Sequence, residues 1–101
     1  GGTDGKVVRV SAANTWTDAS QADTIAQLLD LMFKAGGYYY AAGSTIAGLS
    51  GLTAGAGYFL GTAGGITATA PTPSSTVRLV KIGTAISTTA LLFSPGIPIG
   101  G

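Results

Sequence analysis

Asp23-Thr24-Ile25-Ala26-Gln27-Leu28-Leu29-Asp30-Leu31-Met32-Phe33, followed by Lys34-Ala35-Gly36-Gly37 and Tyr38-Tyr39-Tyr40, is the stretch on which the fold turns. Ile25, Leu28, Leu29, Met32 and Phe33 recur at i, i+3, i+4, i+7 and i+8, the period of one helical face. Ser20 with Asp23 has the spacing of a capping box, and Gly36-Gly37 is a helix stop. Propensity alone reads a helix. The same residues also alternate: Ile25, Gln27, Leu29, Leu31 and Phe33 share one face of a strand, and Lys34-Ala35-Gly36-Gly37 becomes a hairpin loop into the tyrosines.

Outside this stretch the chain reads as short strands. Lys6 to Ser11 alternates, with Val8 and Val10 on one face and Val7, Arg9 and Ser11 on the other. Asn14 to Ser20 reads as a polar loop carrying the single tryptophan, Trp16. Downstream, Tyr38 to Ala42, Ser44 to Leu49, Gly57 to Leu60 and Ile66 to Ala70 are candidate strands, the last two flanking a five-residue hairpin loop, Gly61 to Gly65. Pro71 to Ser75 is a connection, because prolines at 71 and 73 bar a central strand. Thr76 to Ile82, Thr84 to Ser87 and Ala90 to Phe93 complete the set, with Gly83 a bulge and Thr88-Thr89 a tight turn. The expected fold is mainly β, a small β-sandwich or barrel of short hairpins with at most one helix near residues 23–34. One domain spans 1–101, with 1–5 and 95–101 as flexible or connecting tails.

Composition narrows the chemistry. The 101 residues contain no His, Cys or Glu, and the charges reduce to Asp4, Asp18, Asp23 and Asp30 against Lys6, Arg9, Lys34, Arg78 and Lys81, a net of +1. Zinc sites draw on His or thiolate, and general acid-base work on His or paired carboxylates, so an enzyme is not expected and neither is a cofactor. A net charge this small provides no field to recruit nucleic acid. Residues 35–77 carry no charge, yet ten glycines and two prolines interrupt them, so no membrane insertion is expected. The opening Gly1-Gly2-Thr3-Asp4-Gly5 lacks the basic region and apolar stretch that head a secretory signal.

Alanine accounts for 16 of the apolar residues, and 17 glycines must be ordered on folding, so the core is thin and association with other chains is expected to complete it. Gly51, Gly55, Gly57 and Gly61 look superficially like a phosphate cradle, but no Gly-Lys-Ser or Gly-Lys-Thr follows, and they read as turns. Asp18 and Asp23 with Asn14 lack calcium-loop alternation and read as turn residues, leaving no metal site. Lys81 reads as a strand-edge charge rather than a base for a hydroxyl nucleophile. Trp16 with Tyr38 and Tyr40, two tyrosines on one face of a strand, is the candidate ligand surface, either for stacking on a host surface glycan or for packing.

Gly48-Leu49-Ser50-Gly51-Leu52-Thr53-Ala54-Gly55-Ala56-Gly57-Tyr58-Phe59-Leu60-Gly61, then Gly65-Ile66-Thr67-Ala68-Thr69-Ala70-Pro71-Thr72, then Val80-Lys81-Ile82-Gly83-Thr84-Ala85-Ile86-Ser87-Thr88-Thr89-Ala90-Leu91-Leu92-Phe93, resembles a module of tailed-bacteriophage virion proteins: tail fibres, spikes, head fibres and capsid decorations. The chain departs from it at Ala54, where proline is common, and at Val80-Lys81-Ile82, where a more apolar strand is usual. The resemblance covers Gly48 to Phe93 and implies a hairpin ahead of it, which favours strand over helix for residues 24–33. It further implies a non-catalytic structural module in the virion, assembled in the host cytoplasm beside other virion proteins, with trimer as its usual homo-oligomer. A receptor-binding tip is the alternative. Leu49, Leu52, Tyr58 and Phe59, next to the glycine-rich turns, are the expected subunit contacts.

Overall fold

The computed structural model describes residues 2–13 and 15–100. Strand accounts for 38% of it and helix for 3%. One antiparallel sheet holds β1 (Lys6–Ala12), β2 (Thr15–Asp18), β3 (Leu31–Ala35) and β4 (Tyr38–Tyr40) in the order β2-β1-β3-β4. The other holds β5 (Thr45–Ile46), β6 (Gly57–Leu60), β7 (Ile66–Thr67), β8 (Lys81–Ala85) and β9 (Leu91–Phe93) in the order β5-β9-β8-β6-β7. Their inner faces share one core, in which Val7 and Phe33 of the first sheet meet Leu60, Ile82, Leu91 and Phe93 of the second. The Phe33 and Phe93 rings touch edge to face at 5.8 Å between centroids, so the architecture is a small sandwich.

The deciding stretch divides between its two readings. Asp23 accepts the Ser20 amide at 2.8 Å, and Thr24 and Gln27 exchange backbone-to-side-chain bonds, Thr24 N–H to Gln27 Oε1 at 2.9 Å and Gln27 N–H to Thr24 Oγ1 at 3.3 Å. This second, reciprocal box opens a 3-10 turn, Ala26–Leu28, that inserts Leu28 into the core and then stops. Leu31 enters β3 opposite Arg9, and Phe33 lies opposite Val7. Strand wins there because an eleven-residue helix is marginal in water, whereas β3 completes one edge of β1 and buries Leu31 and Phe33. Gly36 and Gly37, at φ +58° and +82°, then form the two-residue turn whose twist suits a tight hairpin.

Other boundaries moved. The expected loop over 14–20 contains β2, whose Thr15, Trp16 and Thr17 are strand formers paired with β1 across a bulge at Ser11; Asn14 lies outside the described residues. The second arm of the 61–65 hairpin ends after Thr67, and the extra residue on β8 is Ile82, one position before the expected bulge at Gly83. Lys81 sits on β8, an interior strand, and not at a sheet edge. Both ends of the chain lie along the body: Gly5 N–H donates to the Lys34 carbonyl at 2.6 Å, and Leu79 and Ile99 exchange backbone bonds at 2.7 and 2.9 Å. Gly1 and Gly101 are outside the described residues.

A ring of three backbone bonds stitches the sheets at one edge. Val7 N–H donates to the Gly64 carbonyl at 2.9 Å, Gly64 N–H to the Ala19 carbonyl, and Ala19 N–H to the Val7 carbonyl at 2.9 Å. Gly64 is buried at φ +75°, and a Cβ there would come within 2.8 Å of both the Val7 carbonyl oxygen and Lys6 Cβ. Only glycine brings the β6–β7 loop so close to β1.

Candidate functional site

Three surfaces compete for a functional role: the outer face of each sheet, and a cleft between the 48–52 loop and the sandwich. On the first sheet, Val8, Met32 and Lys34 align with Trp16, Asp18 and Tyr39 on the face away from the core. The chain covers much of this face itself. Gly2 lies on Val8, where an added Cβ would stand 2.6 Å from Val8 Cγ1, and Val8 is fully buried in consequence. Asp18 holds this N-terminal strap by accepting the Thr3 amide and hydroxyl, each at 2.8 Å, while Lys34 Nζ donates to the Gly2 carbonyl at 3.2 Å. Trp16 stacks on Tyr39, centroids 4.9 Å apart and planes 25° from parallel, and Lys34 Nζ stands 5.5 Å from the Tyr39 centroid.

The expected grouping of Trp16 with Tyr38 and Tyr40 therefore gives way to Trp16 with Tyr39. Alternation on β4 turns Tyr40 toward the core, where it packs against the buried cluster, and leaves Tyr38 exposed at the rim of that opposite face. Rings stacked on each other offer a sugar less face than coplanar rings would, so this pair weighs for packing. Tyr39 escaped the sequence reading because the partner of Trp16 depends on how two edge strands lean over a twisted sheet.

The cleft, about 360 Å³, is lined by Leu49, Leu52, Tyr58 and Ile66 with backbone from Gly5 and Gly48. Its loop is anchored by Leu49 N–H to the Thr89 carbonyl at 2.9 Å and Leu52 N–H to the Thr88 carbonyl at 3.1 Å. The Tyr58 hydroxyl accepts the Thr53 amide at 2.8 Å, which fixes the ring in the cleft wall. Among the described residues that line it, none carries a charge.

The outer face of the second sheet is plainer. Val80, Tyr58, Leu60, Leu91 and Phe93 point inward and are buried, so Leu79, Phe59, Lys81 and Leu92 point outward, joined by Ile99 through its bridge to Leu79. Leu92 and Ile99 are 39% and 56% exposed. Thr45, Thr67 and Thr84 fill the gaps, and Lys81 is the one charge among these residues.

The four expected subunit contacts thus separate: Leu52 and Tyr58 are buried in the chain's own core, Leu49 is half-buried beside the cleft, and Phe59 is half-buried on this outer face. Asp18 and Asp23 are engaged by Thr3, by Ser20 and by the Arg9 guanidinium at 2.9 Å; among the described residues no three His, Cys, Asp or Glu side chains gather as metal ligands. No family model, curated protein or solved structure matches the chain.

Proposed function

We propose that this chain is a non-catalytic structural module of a tailed-bacteriophage virion that self-associates, as a trimer, in a fibre, spike or capsid decoration. One observation carries the reading. The segment that resembles such modules, Gly48 to Phe93, contains β6 to β9, four of the five strands of one sheet, and the outer face of that sheet leaves Leu92 and Ile99 open beside Phe59 and Leu79. An apolar sheet face with a single lysine is a surface that association buries at little desolvation cost. The threefold number comes from the resemblance.

Light scattering behind size exclusion at micromolar concentration tests the reading. The expected mass is three times the 9.9 kDa of the chain, and a monomer that unfolds cooperatively would overturn it. Gold-labelled antibody to the chain is expected to mark virions of the source phage at regular positions; unlabelled virions would remove the phage assignment.

A further inference from the structure

The charges and exposed apolar residues of this fold assign a specific counterpart to the open face of the second sheet. We infer that it docks onto the 3-10 turn of a second copy of the same chain, with Lys81 of one copy opposite Asp30 of the next. This inference rests on the self-association reading and goes further by naming both halves of the contact.

An isologous pairing, face on face, would bring two Lys81 ammonium groups into one contact, and among the described residues of that face no side chain carries a carboxylate to offset them. The counterpart must therefore be a different patch that offers apolar groups and an anion. Three of the four aspartates are committed inside the fold. Asp4 accepts the Gly37 amide, Asp18 the Thr3 amide and hydroxyl, and Asp23 the Ser20 amide and the Arg9 guanidinium. Asp30 is exposed, and no bond to it is found among the described residues.

Asp30 adjoins Leu29, 63% exposed, and follows Ile25, 39% exposed, two large apolar side chains left outside when the 3-10 turn committed Leu28 to the core. The two patches are thus matched in kind: Leu92, Ile99 and Phe59 around Lys81 on one, Ile25 and Leu29 beside Asp30 on the other. Because they are different parts of the chain, the contact is heterologous, and a heterologous contact that closes makes a ring. That is the geometry a trimer requires. Opposite charges at the rim of such a contact set its register and suppress wrong pairings.

The test is a charge exchange on the full chain, read by light scattering behind size exclusion and by sedimentation at several concentrations. Lys81→Asp and Asp30→Lys are each expected to weaken association at least about tenfold, since each places like charges together. The double variant, with the charges exchanged, is expected to recover the wild-type mass. Both residues are exposed, so far-ultraviolet circular dichroism should be unchanged; Leu29→Asp is an independent variant expected to dissociate the assembly in the same way. A wild-type assembly unaffected by either single change, or singles that dissociate without recovery in the double, would overturn the contact while the self-association reading stands. A wild-type monomer would overturn both.

Discussion

On the outer face of the β2-β1-β3-β4 sheet, Val8 lies under Gly2, Trp16 stacks on Tyr39, and Asp18 and Lys34 hold the strap that does the covering. On the outer face of the β5-β9-β8-β6-β7 sheet, Leu92 and Ile99 face solvent with Lys81 alone among them. Both sheets feed the same core, and their inner faces are equivalent in kind. The difference lies in what covers the other side: the first sheet is covered largely by its own chain, and the second leaves Leu92 and Ile99 to solvent.

The comparison breaks if the two sheets do not fold as one unit. Phe93→Ala and Phe33→Ala are each expected to cost about 3–5 kcal/mol, because each removes one side of the ring contact between sheets. Urea unfolding followed by Trp16 fluorescence, which reports the first sheet, and by circular dichroism should give coincident transitions. Separate transitions in Phe93→Ala would mean that the first sheet stands without the second. Gly64→Ala tests the stitched edge and is expected to cost about 1–3 kcal/mol, since its φ of +75° and the nearby Val7 carbonyl oxygen oppose a side chain. A melting temperature within one degree or so of wild type would show that the edge is looser than the backbone ring implies.

Two substitutions sharpen the contrast of outer faces. Phe59→Asp on the second sheet is expected to weaken association about tenfold or more, about 1.4 kcal/mol, by placing a carboxylate in the proposed contact. The smallest effect is expected from Val10→Asp on the first sheet: Val10 is 47% exposed, and the change should move stability by about 0.5 kcal/mol or less and leave the assembly mass alone. Reversed results, with mass lost in Val10→Asp and kept in Phe59→Asp, would exchange the roles of the two faces.

Much of this was legible in the residues. Alternation located β1, glycine-bounded apolar runs located β6 and β9, and glycine pairs located the hairpins at 36–37 and 61–65. β2 was missed although Thr15, Trp16 and Thr17 carry strand propensity, because its polar flanks outweighed three residues. The binding candidates were less legible. Leu52 and Tyr58 look like interface residues beside glycine turns, yet the 48–55 loop folds back on its own sheet and buries them.

Composition and period by themselves determined the β class, the hairpin positions and the absence of His, Cys and Glu from the chain's chemistry. Tertiary structure decided the fate of residues 23–33, the partner of Trp16, the burial of Val8 and which outer face stays open. The reason is one of scale. Helix propensity differs between residues by at most about 0.7 kcal/mol for ordinary side chains, whereas burying Phe33 against Val7 and Phe93 contributes roughly 2–3 kcal/mol. Local preference therefore yields wherever a strand far off in the sequence offers an edge to complete and a core to fill, and the sequence alone does not display that edge.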